Sequence, residues 1–171
     1  FLEIGCGNGF LLELALNNGW KNVTGVEPSI EAINKANDNI KDKIIHSTFQ
    51  PDNFNKNTYD LIFFAMVLEH VPDVNEFLSG IFEILKPDGV IICICHNEQH
   101  FLSRLLKNKH PIINDEHNYV FGKKTLEKIF LKNKFKHVVI KNLKNYYSIK
   151  YWLKMVTLPK IINKSIGLMS K

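Results

Sequence analysis

A chain of 171 residues with 45% hydrophobic side chains is long enough for one domain with a sizeable core. No run of roughly 18 uncharged apolar residues occurs and no charged-then-apolar leader, so neither a spanning helix nor a signal peptide is expected, and the reading is of a soluble, cytoplasmic protein. The net charge of +5 is unevenly spread: residues 128–171 hold eleven lysines and no acidic residue, leaving −6 on the remainder, a polarity that by itself makes no case for nucleic acid.

The elements alternate between short apolar strands and amphipathic helices. Phe1 to Ile4 reads as the end of a strand, Gly5 to Gly9 as a tight loop, and Phe10 to Leu16 as a helix stopped by Asn17-Asn18-Gly19. Val23 to Val26 is a second strand. Pro28 opens a helix whose apolar stripe runs through Ile30, Ile33, Ala36, Asn37 and Ile40, and Lys43 to Ser47 is a third strand. Tyr59 to Met66 is apolar without alternation, as befits a central strand covered on both faces. A helix from Val74 to Leu85 ends at the turn Lys86-Pro87-Asp88-Gly89, and Val90 to Cys95 resumes as a strand. Further helices are expected near His100 to Lys107 and at Lys123 to Lys132, and a strand at Phe135 to Ile140. Strands alternating with helices imply a parallel sheet with helices on both sides. Because the chain opens at Phe1, already inside a strand, further elements are expected upstream. Three cysteines make an odd count; Cys93 and Cys95 share one strand face at a spacing unlike zinc-ligand spacing, so they read as reduced, small buried hydrophobes.

The segment Glu3-Ile4-Gly5-Cys6-Gly7-Asn8-Gly9 places three glycines at alternate positions between a strand and a helix, where missing side chains let a ligand touch backbone. Glu27 stands at the end of the next strand, about twenty residues on, where a carboxylate accepts hydrogen bonds from both hydroxyls of an adenosine ribose. A dinucleotide fingerprint is G-x-G-x-x-G; here the third glycine comes one residue earlier, which disfavours a nicotinamide-dependent oxidoreductase. No phosphate-loop lysine motif is present.

Leu2 to Gly9 resembles motif I of class I S-adenosylmethionine-dependent methyltransferases, and Val26-Glu27-Pro28-Ser29 resembles their ribose-binding motif. The match continues in order through Tyr59-Asp60-Leu61-Ile62, Leu68-Glu69-His70-Val71-Pro72-Asp73 and Leu85-Lys86-Pro87-Asp88-Gly89-Val90. His117-Asn118-Tyr119-Val120-Phe121 resembles the segment before the last helix in the subgroup with ubiquinone-biosynthesis, sugar and natural-product methyltransferases. The resemblance implies an α/β three-layer sandwich with a Rossmann-like, mostly parallel seven-stranded sheet. It implies S-adenosylmethionine as cofactor, with Glu3, Gly5, Cys6, Gly7 and Gly9 bordering its methionine part, Glu27 holding the ribose, and Pro28 and Ser29 flanking the adenine. The adenine-edge acidic residue usual after strand three is absent; Ser47 or Thr48 substitutes there, with Phe49 supplying an amide or an apolar wall. Ala65 and Met66 would lie beside the sulfonium.

The implied activity is methyl transfer to a small-molecule acceptor, most readily at an oxygen; the alternatives are a non-catalytic S-adenosylmethionine-binding scaffold and the disfavoured oxidoreductase. An oxygen acceptor that loses a proton benefits from a base near neutrality, which makes His70 and His117 the catalytic candidates, though Glu69 and His70 serve equally to order the following helix. His46, His96, His100, His110 and His137 have less claim. Where some quinone O-methyltransferases carry extra acidic residues for a divalent metal, this chain has Ala65, Met66 and Val67, so no metal site is expected. Residues 1–141 are expected to form the cofactor-binding core and residues 142–171 a basic, aromatic extension. That extension reads as a substrate-side cap, Pro159 interrupting any single long helix; the other reading is a weak contact with an anionic membrane surface.

Overall fold

The computed structural model describes residues 1–97 and 117–143. The chain divides into two units, Phe1–Val139 and Ile140–Lys171, and the architecture that follows is that of the first. The expected helix at 100–107, and all but two residues of the expected extension with its membrane contact, lie outside the described residues.

Among the described residues, five strands form one parallel sheet in the order β3-β2-β1-β4-β5: β1 Leu2–Ile4, β2 Thr24–Glu27, β3 Ile44–His46, β4 Tyr59–Ala65 and β5 Leu85–Ile94. Successive strands step outward from β1 to β3 on one side, and β4 and β5 lie on the other. The order therefore reverses between β1 and β4, and the crevice beyond their carboxyl ends is where open α/β sheets bind ligands. β1 sits in the middle of these five, with Leu2, Glu3 and Ile4 paired to both β2 and β4. The expectation that 59–66 is central holds in that β4 is paired on both edges.

Helices cover both faces. α1 (Phe10–Asn17) and α3 (Asp38–Lys41) meet on one face, where Leu12 and Ile40 are buried with Phe1, Cys6 and Val23. On the other face, α4 (Val74–Ile84) buries Phe77, Leu78, Ile81 and Ile84 against Leu2, Ile4, Ile62 and Phe64, and α5 (Lys123–Lys132) adds Phe130. The alternation within β4 explains its composition: Ile62 and Phe64 face the α4 core while Leu61 and Phe63 pack on the α1 side. Asp73 caps α4 through Oδ1, which accepts the amides of Asn75 at 2.7 Å and Glu76 at 3.1 Å. Among the described residues, no helix is long and apolar enough to cross a membrane.

Three expectations are corrected. The helix expected from Pro28 is two short pieces, α2 (Ile30–Ile33) and α3. Asn37 adopts an extended backbone between them and ties back to α1 by donating from Nδ2 to Glu13 at 2.8 Å. Ile33 and Ile40 are buried all the same, so the apolar periodicity survives a broken axis. Next, β5 follows α4 without a separate turn, but its register jumps: Tyr59 pairs with Leu85 and Leu61 already with Val90. Lys86-Pro87-Asp88-Gly89 is thus accommodated as a bulge within the strand, the proline sitting where the ladder is interrupted. Finally, residues 135–140 join no ladder. Phe135 packs on Phe82 at 5.4 Å and Phe130 at 5.5 Å, and Val138 on the α4-side core, so their apolar pattern reflects packing without pairing.

Candidate functional site

The loop after β1 turns three times through the left-handed region, with φ of 73° at Gly5, 55° at Gly7 and 75° at Gly9. Such a path is open to glycine and strained for other residues. The amides of Gly5 and Cys6 both donate to Val26 O, and that of Gly9 to Cys6 O, so the loop is fastened to the end of β2. Gly7 differs from its neighbours in that a Cβ built on it meets nothing within 4 Å. Its backbone faces open space at the crevice.

Glu27 closes this arrangement. Buried to 8% exposure, its carboxylate accepts the Gly7 amide on Oε2 and the Ser29 amide on Oε1, both at 2.8 Å. Ser29 in turn caps α2, its Oγ accepting the Ala32 amide at 3.2 Å. The residue expected to hold a ribose therefore also fixes the glycine loop to the start of α2, with Pro28 and Ser29 exposed beside it.

Glu3, on β1 beneath the loop, is 7% exposed, and among the described residues its Oε2 has no hydrogen-bond partner. Burial, reinforced by the charge of Glu27, pushes its carboxyl up to about 7. A buried acceptor without a partner is costly unless a cation or donor reaches it, so the spot suits a positively charged ligand group. Burial, with Glu3 and Glu27 nearby, likewise pushes the Cys6 thiol up to about 12, which makes it a neutral packing group. An adenosine-bearing cation fits these residues: a carboxylate for the ribose, open backbone at Gly7, and an orphaned carboxyl oxygen under the loop.

At the adenine end, His46 Nε2 lies 3.1 Å from Pro28 O, Ser47 is half-buried and Thr48 exposed. The half-buried Phe49 ring packs against Phe54 at 5.5 Å and Phe77 at 5.4 Å. Ala65 ends β4. Met66 follows at φ 55°, 38% exposed, with its amide donating to Ile94 O at 2.8 Å.

Beyond Met66 the structure joins His96, a residue with less claim from sequence, to Glu69, His70 and His117. Glu69 is fully buried, and its Oε1 accepts both the His96 amide at 2.6 Å and His96 Nδ1 at 3.1 Å. Burial works to raise the Glu69 carboxyl, but the side-chain and backbone hydrogen bonds from His96 outweigh it and hold it below its ordinary value. The His117 ring centroid lies 5.3 Å from that of His96 and 4.8 Å from that of His70. The two histidines singled out from sequence are thus brought together, with His96 as the third member. Among the described residues no group of three or more His, Cys, Asp or Glu could hold a metal ion.

The segment at 117–119 is fastened to the loop after β4. Asn118 and Tyr119 amides donate to Glu69 O at 2.8 and 3.2 Å, Asn118 Nδ2 donates to His70 O at 3.0 Å, and Tyr119 Oη donates to Pro72 O at 2.8 Å. Asp73 acts as the cap of α4, so this stretch combines a structural device with a candidate chemical one.

Residues 1–139 match the family model described as "Methyltransferase domain". Among curated proteins, the chain is 33% identical over 106 residues to a mitochondrial ubiquinone biosynthesis O-methyltransferase from Bos taurus, a match covering 57% of this chain and 28% of that protein. The chain thus spans well under half the length of that relative. Among solved structures, a SAM-dependent methyltransferase from Archaeoglobus fulgidus superposes with a TM-score of 0.65 at 18% identity, covering 99% of this chain and 78% of that one. Phosphoethanolamine N-methyltransferase 2 from Haemonchus contortus, solved in complex with S-adenosyl-L-methionine, gives a TM-score of 0.57 at 20% identity over 77% of this chain and 32% of that one. At these identities the structures speak for the fold.

Proposed function

This chain belongs to the methyltransferase domain family, and on that premise we propose that it binds S-adenosylmethionine at the β1–β4 crevice and transfers the methyl group to an oxygen of a small molecule. The observation that carries the reading is Glu27, a buried carboxylate at the end of β2 turned onto the open backbone of Gly7. When bound, the cofactor supplies a methyl group activated on a sulfonium, whose carbon–sulfur bonding pair stays on sulfur. Glu27 holds the ribose hydroxyls, Glu3 offers its orphaned oxygen to the cationic end, and Gly7 lets the ligand approach backbone. Because the donor is already activated, the protein's part is to orient the acceptor, exclude water and manage the acceptor's proton. Oxygen as the acceptor atom is supported by the names of the curated relatives and by the imidazoles gathered beyond β4.

The test is isothermal titration of the purified protein with S-adenosylmethionine, S-adenosylhomocysteine and NADH. Binding of the first two alone is expected. Binding of NADH in their place, or of none of the three by folded protein, would remove the reading.

A further inference from the structure

Resting on the oxygen-transfer reading above, we infer that His96 is the catalytic base of this site, taking the acceptor's hydroxyl proton on Nε2, and that Glu69 is the residue that positions it. An ionised carboxylate only accepts hydrogen bonds, so His96 Nδ1, at 3.1 Å from Oε1, carries the proton of the neutral ring. Nε2 is then left with its lone pair. The same oxygen also takes the His96 amide at 2.6 Å, which fixes the backbone from which the ring projects. The ring itself is 29% exposed while Glu69 is 1% exposed, so the imidazole reaches solvent and its anchor does not.

Glu69 is an unusual group to bury. Among the described residues its Oε2 has no hydrogen-bond partner, and a buried carboxylate with an unsatisfied oxygen is stabilised further by positive charge brought beside it. Proton arrival on His96 supplies that charge. When the acceptor's O–H bond breaks, the proton passes to Nε2 and that bond's electron pair remains on oxygen to make the new bond to carbon, with the Glu69 carboxylate beside the cation so formed. Among the described residues, the groups facing His96 are Glu69 from the loop after β4 and His117 from the segment before α5, with His70 reached through His117 and Cys95 adjacent in the chain.

The location is right for the chemistry. Ile94 pairs with Ala65 and accepts the Met66 amide, so His96 lies two residues beyond the carboxyl end of β5, alongside the end of β4. A Cβ on Gly5 would strike Val67 Cγ2 at 2.6 Å, so the glycine loop and the loop carrying Glu69 are packed together. A histidine is matched to an acceptor hydroxyl of phenolic acidity, with a pKa of about 10, and poorly matched to an aliphatic alcohol.

The experiment has two readouts. In protein labelled with 15N-histidine, long-range proton–nitrogen correlation reports each ring's tautomer, His96→Gln supplying the assignment. The neutral His96 ring is expected protonated on Nδ1; an Nε2-protonated ring would overturn the inference. In parallel, methyl transfer to catechol is followed against pH for the wild type, His96→Gln, His70→Gln and His117→Gln, with cofactor affinity measured for each. His96→Gln is expected to lower kcat about 100-fold or more near neutrality, leave cofactor Kd within about threefold, and abolish the rise of kcat with pH. Glu69→Gln should give a smaller loss with KM unchanged. If His96→Gln keeps the wild-type pH rise, or His70→Gln or His117→Gln removes it instead, the base is elsewhere and the transfer reading survives. If the wild type binds cofactor and leaves catechol unmethylated, transfer to such an oxygen and the base fall together.

Discussion

Replacing Glu27 by alanine separates a ligand-binding carboxylate from a merely structural one. Each of its two 2.8 Å hydrogen bonds is charge-assisted, a class worth about 1.5–3 kcal/mol. Ser29 is exposed, so water replaces the carboxylate at its amide, whereas half-buried Gly7 is less readily rehydrated. The folded state should therefore lose about 1–3 kcal/mol, the cost of one poorly satisfied amide. On the proposed reading the ribose hydroxyls lose their acceptor as well, with a net effect near one charge-assisted bond after water compensates for the other. That is about 1.5–3 kcal/mol, or roughly 10- to 150-fold in Kd. Calorimetric titration with S-adenosylhomocysteine gives the affinity, and urea unfolding the stability. A folded Glu27→Ala protein whose Kd stays within about threefold of wild type would refute the ribose assignment, whatever its stability.

The remaining predictions concern neighbouring residues. Burial and Glu27 hold the Glu3 carboxyl at about 7 against an ordinary 4.5, so the folded protein keeps a proton that the unfolded chain releases. Stability from this group is complete below about pH 4.5 and is lost as the pH rises through 7, about 3 kcal/mol in all; Glu3→Gln should flatten Tm against pH across that window, and an unchanged slope would reject the assignment. Gly7→Ala and Gly9→Ala should diverge: both are strained at positive φ, but a Cβ at Gly7 enters open space while one at Gly9 meets Ile40 and Ile44. Thermal melts should show the larger loss at Gly9, and titration the weaker cofactor binding at Gly7 relative to stability lost. Leu78→Ala, in the fully buried face of α4, should cost about 2–5 kcal/mol in urea unfolding. Asp73→Ala should cost about 0.5–2 kcal/mol through its cap, without altering cofactor affinity.

Where local chemistry decides the structure, the sequence is informative. Alternate glycines between a strand and a helix give the loop, and α5 occupies 123–132 as its periodicity requires. The break between α2 and α3 is hidden because Ile33 and Ile40 remain apolar and buried on either side of it. The bulge in β5 depends on what lies opposite, since only the pairing with Tyr59 and Leu61 absorbs Lys86 to Gly89 into the strand. His96 escapes notice for the same reason: its partner is 27 residues away, and no local spacing joins them. One signal was available, in that a histidine just past the carboxyl end of a parallel strand stands where such folds place their chemistry.

The hydrogen bonds from Asn118 and Tyr119 to residues 69–72 bear on how the site would fail under stress. Residues about 47 positions apart are joined there, and His117 rides on the same segment. Release of that one stretch would withdraw an imidazole and strip the backbone partners from Glu69 in a single event, with the sheet intact. Local opening of this kind requires less free energy than global unfolding. Amide exchange at Asn118 and Tyr119 would then track the working population of molecules on warming, and activity would fade before the bulk of the fold melts.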